Sequence, residues 1–298
     1  MAPDDIAGEA EGGARKAAPV DLPENVLLGE AFREIAGSAL GDLLGNAPVA
    51  AAGDPEGVHQ VRIAIRRLRA ALLLFRRELD PEPAARFEAE LKRLGQISGA
   101  ARDWDVFCVQ TLRDADKDID VSAVRPVAEA RRQAAHRQLC EALQASSFSW
   151  LVLGFSAWIE GALTAPFREL PLREEAGALL GRVERKVLKQ GKHVDGGSVE
   201  ELHALRKSLK KLRYAIESLA GLYRRKQVRA YLHGLKALQQ RLGVFNDAAV
   251  TAQLAEGVAE ESPAATALIY WSRLRRDEAL ADLPRSWKRF RREPSFWD

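Results

Sequence analysis

Cysteine is scarce in this chain of 298 residues: Cys108 and Cys140 are its two thiols, and they lack the paired spacing of a disulfide framework or a zinc site. Long apolar runs are missing as well. The best stretch, 148–159, ends at Glu160 and falls short of the roughly 18 residues that a membrane-spanning helix needs. The opening MAPDDIAGEA is acidic and has neither the basic start nor the apolar core of a signal peptide. These absences lead us to expect a soluble, cytoplasmic protein. No convincing alternation of β-branched residues marks a strand, and no phosphate-loop signature is present.

What remains is helix-forming sequence with an uneven charge. The formal net charge is +3, yet residues 1–57 hold 3 Lys/Arg against 11 Asp/Glu, which leaves 42 against 31 for the rest. The leading segment therefore carries −8 and the body +11, enough for a focused field that recruits anions. With 47% hydrophobic residues the body can bury a substantial core.

Residues 1–25 are rich in Ala, Gly, Pro and acid without apolar periodicity, and predict a disordered acidic tail. A 3.6-residue rhythm predicts a helix from about Asn25 until G-N-A-P breaks it at 45–48, then one opened by Asp54 or P-E-G and closed by the D-P-E-P after Leu79. Further helices are predicted over 84–98, 103–113, 124–144, 148–163 and 172–190. Beyond the loop G-K-H-V-D-G-G-S comes a helix from about 202, followed by 226–242, 247–259 and 263–282. The predicted fold is all-α, with two antiparallel helical bundles as a pseudo-symmetric pair: a first half over 26–165, a second over 166–292 and a tail over 293–298.

One helix is written twice. V-H-Q-V-R-I-A-I-R-R-L-R-A-A from Val58 returns without a gap, 144 residues later, as L-H-A-L-R-K-S-L-K-K-L-R-Y-A from Leu202. His59, Arg62, Arg66 and Arg69 match His203, Arg206, Lys210 and Arg213. The same offset aligns L-K-R-L-G-Q-I-S-G-A-A-R-D-W-D-V from Leu91 with L-K-A-L-Q-Q-R-L-G-V-F-N-D-A-A-V from Leu235. In each marked helix an apolar seam (Val58, Val61, Ile65, Leu68, Leu72 and Phe75; Leu202, Leu205, Leu209, Leu212, Ile216 and Leu219) recurs at intervals of three and four. The His/Arg stripe lies roughly 110° around the helix from that seam. Over 58–77 there are six arginines and no acid, whereas a solvated face ordinarily mixes signs at i,i+4.

An isolated stripe reads equally well as solvated surface. Matched stripes in two copies favour a shared anion, because drift scatters surface charge after duplication. His59 and His203 also fit structural histidines near a helix start, which is compatible with binding. Gly99 and Gly243 are expected to end helices, and Asp103 and Asp247 to cap the following ones. If either carboxylate contacts the stripe instead, it positions a basic residue there. Lys92 and Lys236 match and extend the basic lining. Glu88, Glu90 and Lys92 fit the E-x-E-x-K pattern of triphosphate-tunnel enzymes. That pattern needs a strand, and on a helix positions two apart diverge by about 200°, so the match is coincidental.

The two marked strings, with I-S-G-A-A-R-D and L-G-V-F-N-D, resemble the hallmark segments of the CHAD family, the conserved histidine α-helical domain, over about 26–291. The resemblance implies two four-helix bundles around a pseudo-twofold axis and a basic central cavity that binds inorganic polyphosphate. It places that binding surface on His59, Arg62, Arg66, Arg69, His203, Arg206, Lys210 and Arg213, with Arg67, Lys207 and Lys211 secondary; Lys92 and Lys236 join the secondary set from their match in the repeat. Ile63 stands where the second copy has Lys207, so the two walls need not contribute equally. The expected activity is noncatalytic binding, with association to polyphosphate granules. No catalytic residue, metal or cofactor is assigned, no membrane partner is expected, and oligomeric state stays open. Two other readings are a nucleic-acid binder, disfavoured for single strands because stacking aromatics are sparse on the marked helices, and a phosphohydrolase, disfavoured because the stripes lack acidic metal ligands.

Overall fold

A computed structural model describes residues 13–297. The first half contains α1 (Leu28–Ala51), α2 (Pro55–Leu74) and α3 (Pro81–Val106), then a π-helical turn at Phe107–Thr111 and the single turn α4 (Leu112–Asp114). It ends with α5 (Val121–Gln144) and α6 (Ser146–Ile159). The second half contains α7 (Leu172–Gln190), α8 (Val199–Leu219), α9 (Arg225–Glu256), α10 (Ala265–Ala281) and α11 (Leu283–Phe290). Among the described residues there is no strand, only two isolated bridges. No single helix among them is long and apolar enough to cross a membrane.

The duplication extends beyond the two segments it was read from. The first residues of α1, α2, α3 and α5 each stand 144 positions before those of α7, α8, α9 and α10. Local chemistry sets these starts. The Asp54 carboxylate accepts from the Gly57 amide at 2.6 Å with Pro55 in the first turn of α2, and Ser198 and Glu201 form a reciprocal capping box on α8. Gly53 makes the α1–α2 turn at a φ of 88°, a region that side chains avoid. Where the halves meet, the Leu28 amide donates to the Leu170 carbonyl at 2.8 Å and the Leu172 amide to the Val26 carbonyl at 3.0 Å. Exchanging each residue with its copy maps this pair of bonds onto itself, as a local twofold axis demands.

Both apolar seams are buried as the periodicity predicts: no seam residue of α2 is more than 5% exposed, and none of α8 more than 2%. Each such side chain contributes about 1.5–3 kcal/mol of transfer free energy. A second cluster joins Phe107, Cys108, Leu112, Val124 and Ala128 of the first half to Ala255, Val258, Ala265 and Leu268 of the second.

Several boundaries differ from the sequence reading. The breaks expected at Gly99 and Gly243 do not occur: α3 and α9 run straight through both. Helix α1 likewise continues past G-N-A-P and contains Pro48. The single missing amide falls in its last turn, where burial of Ala47 and Ala50 holds the helix together. Of the leading acidic segment, 1–12 lie outside the described residues. Residues 13–23 have no regular secondary structure and 24–25 form a turn; Arg15 exchanges backbone hydrogen bonds with the Asn46 side chain of α1 at 2.8 and 3.0 Å, and Leu22 is buried. At the other end Trp297 is buried as well.

Candidate functional site

Helices α2 and α8 pack against each other, and their basic stripes meet there. Arg62 and Arg206 are largely enclosed there, with side chains 15% and 14% exposed. Each faces one carboxylate from the neighbouring helix: Arg62 lies 3.7 Å from Asp103 on α3, and Arg206 lies 3.5 Å from Asp247 on α9. These pairs are copies of each other. Asp103 and Asp247 sit inside continuous helices and cap nothing, so their assignment as caps is corrected. The structure gives them the positioning contact instead.

The carboxylates do not satisfy the cations. Arg62 Nη1 and Arg206 Nε are buried without a hydrogen-bond partner. Arg66 and Lys210 pair with no carboxylate among the described residues. Burial, then Arg66, lowers the Arg62 pKa to about 10. Burial, followed by the charges of Arg66 and Arg206, brings the Lys210 ammonium down to about 6, against the opposing effect of Asp247. Arg206 is lowered by burial too, with Asp247 opposing and Arg66 of the other stripe adding to the fall. Residues of one stripe thus act on residues of the other, which requires that Arg62, Arg66, Arg206 and Lys210 converge.

The histidines flank this group. Burial, then Arg102, lowers His59, with Glu56 opposing. Burial also lowers His203, although its Nδ1 meets Asn246 Oδ1 at 2.6 Å, a contact that acts the other way. Arg102 and Asn246 are copies of one position on α3 and α9, so one wall has a cation where the other has an amide. Arg102 was not singled out from sequence. Its signal was available in I-S-G-A-A-R-D, immediately before the aspartate.

The remaining stripe residues divide. Arg69 is held by Glu88 through contacts of 3.0 and 2.7 Å to Oε1. Arg213 lies 3.7 Å from Glu217 and over the Tyr214 ring. Arg67 is bound to Asp42 and points to the Ala18 carbonyl and Ser38, away from the convergence. Burial lowers Lys207, with Arg69, Arg206 and Lys92 adding to it, and lowers Lys211, where Arg69 adds and Glu88 opposes. Lys92, Lys207 and Lys211 therefore extend the cluster to one side. Lys236 lines a different groove, with Arg225, Arg229 and His233. Glu88 and Glu90 lie on helix α3, paired to Arg69 and Arg93, and form no tunnel strand.

A duplicated all-helical domain whose copies bring histidine- and arginine-bearing helices together defines one class of protein. The sequence model of the CHAD domain matches residues 34–256, and the chain belongs to that family. The crystal structure of the CHAD domain from the plant Ricinus communis superposes with a TM-score of 0.80 at 30% identity, over 95% of this chain and 99% of that one. PptA from Streptomyces chartreusis shares the fold, with a TM-score of 0.69 at 17% identity over 91% of this chain and 100% of its own. No curated protein matches the sequence.

Proposed function

We propose that this chain is a noncatalytic binding protein for inorganic polyphosphate, held between α2 and α8 by Arg62, Arg66, Arg206 and Lys210. His59 and His203 flank the polymer, and Lys92, Lys207 and Lys211 continue its path. One observation carries the reading: Arg62, Arg66, Arg206 and Lys210 converge in an enclosed contact with two carboxylates opposing them and with unused donors on Arg62 and Arg206. Like charges so placed raise the energy of the empty protein and strip the proton from Lys210 near neutral pH, and a linear anion relieves the arginines and returns that proton. Arginine offers paired donors to phosphate oxygens, and lysine a mobile point charge. The site is read as binding rather than hydrolysis because each carboxylate in it is engaged by an arginine. Its place in a cell is proposed as the cytoplasm, at polyphosphate granules.

The test is a binding isotherm over a range of salt. Four phosphate contacts give a slope of log affinity against log salt of about −3, by analogy with single-stranded nucleic acid. Alanine at Arg62, Arg66, Arg206 and Lys210 together is expected to abolish binding while helical circular dichroism is unchanged. Affinity that ignores salt, or survives this replacement, overturns the proposal. RNA or duplex DNA outcompeting polyphosphate would reassign the ligand. Phosphate released above a blank with magnesium or manganese would make the protein an enzyme.

A further inference from the structure

The two halves are not equally basic beyond the central cluster. Helix α9 opens with R-K-Q-V-R-A-Y-L-H-G-L-K-A-L-Q-Q-R, which contains five Lys/Arg and no acid from Arg225 to Arg241. Arg225, Arg229, His233 and Lys236 fall within about 80° of one another on the helix and span about 17 Å of rise. With Ala220, Val228 and Leu232 they line a groove of about 490 Å³. None of the four has an ion-pair partner among the described residues, while other exposed arginines, including Arg113, Arg131 and Arg273, do. Glu293 lies against Gly234, on the opposite side of α9.

The duplication shows that the groove is particular to one half. The copies of Arg225, Arg229 and His233 in α3 are Pro81, Ala85 and Ala89, and only Lys236 has a basic counterpart, Lys92. The carboxylates changed too. Glu88 holds Arg69 in the first half, but its copy is Leu232, which lines the groove. Arg213, the copy of Arg69, is left with Glu217 at 3.7 Å. Because Arg69 meets Glu88 in the first half, the repeat sets their copies, Arg213 at the end of the α8 stripe and Leu232 in the groove, at the same level of α8 and α9. Along α9, Lys236 is about 17 Å from Asp247, the residue beside Arg206. Apolar walls around charges of one sign concentrate the field.

We infer that one end of a polyanion held at the central cluster leaves it past Arg213 and continues along Arg225, Arg229, His233 and Lys236, so that long chains bind more tightly than short ones and one end of each runs out over the second half. This rests on the polyphosphate reading above. A short oligomer occupies the cluster alone, whereas a long chain engages the groove as a tethered second site, whose gain follows effective concentration without any change at the first.

The experiment compares tripolyphosphate with long-chain polyphosphate on the full chain. One variant carries Arg225→Ala, Arg229→Ala and Lys236→Ala, which are exposed helix positions where alanine favours the helix. A control of equal charge carries Arg113→Ala, Arg131→Ala and Arg273→Ala. The groove variant is expected to lose at least about tenfold in long-chain affinity and about 2 units of salt slope, with tripolyphosphate binding unchanged and the control unaffected. Equal losses for both probes, or a long-chain loss no larger than in the control, overturn the inference and leave the central site standing. Failure of the unmodified chain to bind either probe overturns both.

Discussion

At the scale of single residues, Lys210 is where binding and protonation meet. Burial, then Arg66 and Arg206, holds it at about 6 in the empty protein, and a bound phosphate favours its charged form. Between about 6 and the ordinary lysine value near 10.4, binding therefore draws in a proton, and affinity falls as pH rises, by up to about tenfold per unit. His59 and His203 are lowered as well and add the same sign at lower pH. Folding responds oppositely. The unfolded chain holds a proton that folded Lys210 has lost, so the stability of the empty protein rises with pH across that window and is lost as pH falls through about 6. Lys210→Met, measured by isotherms and urea midpoints between about pH 6 and 8, is expected to bind more weakly with a flattened pH profile and a flatter stability curve. An unchanged slope would place the proton elsewhere. Asp103→Asn has the reverse character. It frees Arg62 and raises anion affinity, at a cost of about 1–2 kcal/mol, between the exposed and buried limits for an ion pair.

At the scale of elements, Gly99 and Gly243 show what the sequence displays and what it hides. Both are copies of one position and both look like helix ends, yet α3 and α9 continue through them, because tertiary packing overrides a propensity cost of about 1 kcal/mol. Their surroundings differ. A Cβ on Gly99 would stand 2.9 Å from Arg62 Nη1, whereas one on Gly243 meets nothing within 4 Å. Gly243→Ala is expected to stabilise the protein by up to about 1 kcal/mol without altering binding. Gly99→Ala should displace the Arg62 guanidinium and weaken polyphosphate binding severalfold, and equal behaviour in both assays would remove this role for Gly99. The stripes, their register and the all-helical class were legible because helical periodicity and a repeat are local patterns. The partition of the cations was not, since it depends on contacts between distant segments: Asp42 claims Arg67, Glu88 claims Arg69, and Arg102 reaches His59 from another helix.

At the scale of the whole molecule, the site exists only while the halves are docked, because one wall comes from each. The reciprocal bonds at Leu28 and Leu172 mark the symmetric part of that junction. Its asymmetric part is an ion pair, Arg182 Nη2 on α7 donating to Glu78 Oε1 at 2.6 Å, with Glu78 4% exposed. The copies of these residues are Ser38 and Leu222, so the pair has no twin. Removing one partner leaves a buried charge uncompensated, and Glu78→Ala is expected to cost about 3–5 kcal/mol. Replacing both partners with Glu78→Leu and Arg182→Met should recover most of that loss, because the junction then buries apolar groups instead of an orphaned guanidinium. A ligand that bridges both walls binds only the docked form, so free polyphosphate at a hundredfold its Kd should return about 2.7 kcal/mol to Glu78→Ala in urea denaturation. The same rescue must vanish when Arg62, Arg66, Arg206 and Lys210 are alanine. Rescue that persists without them would mean that the polymer grips a single half, and the two stripes would no longer form one site.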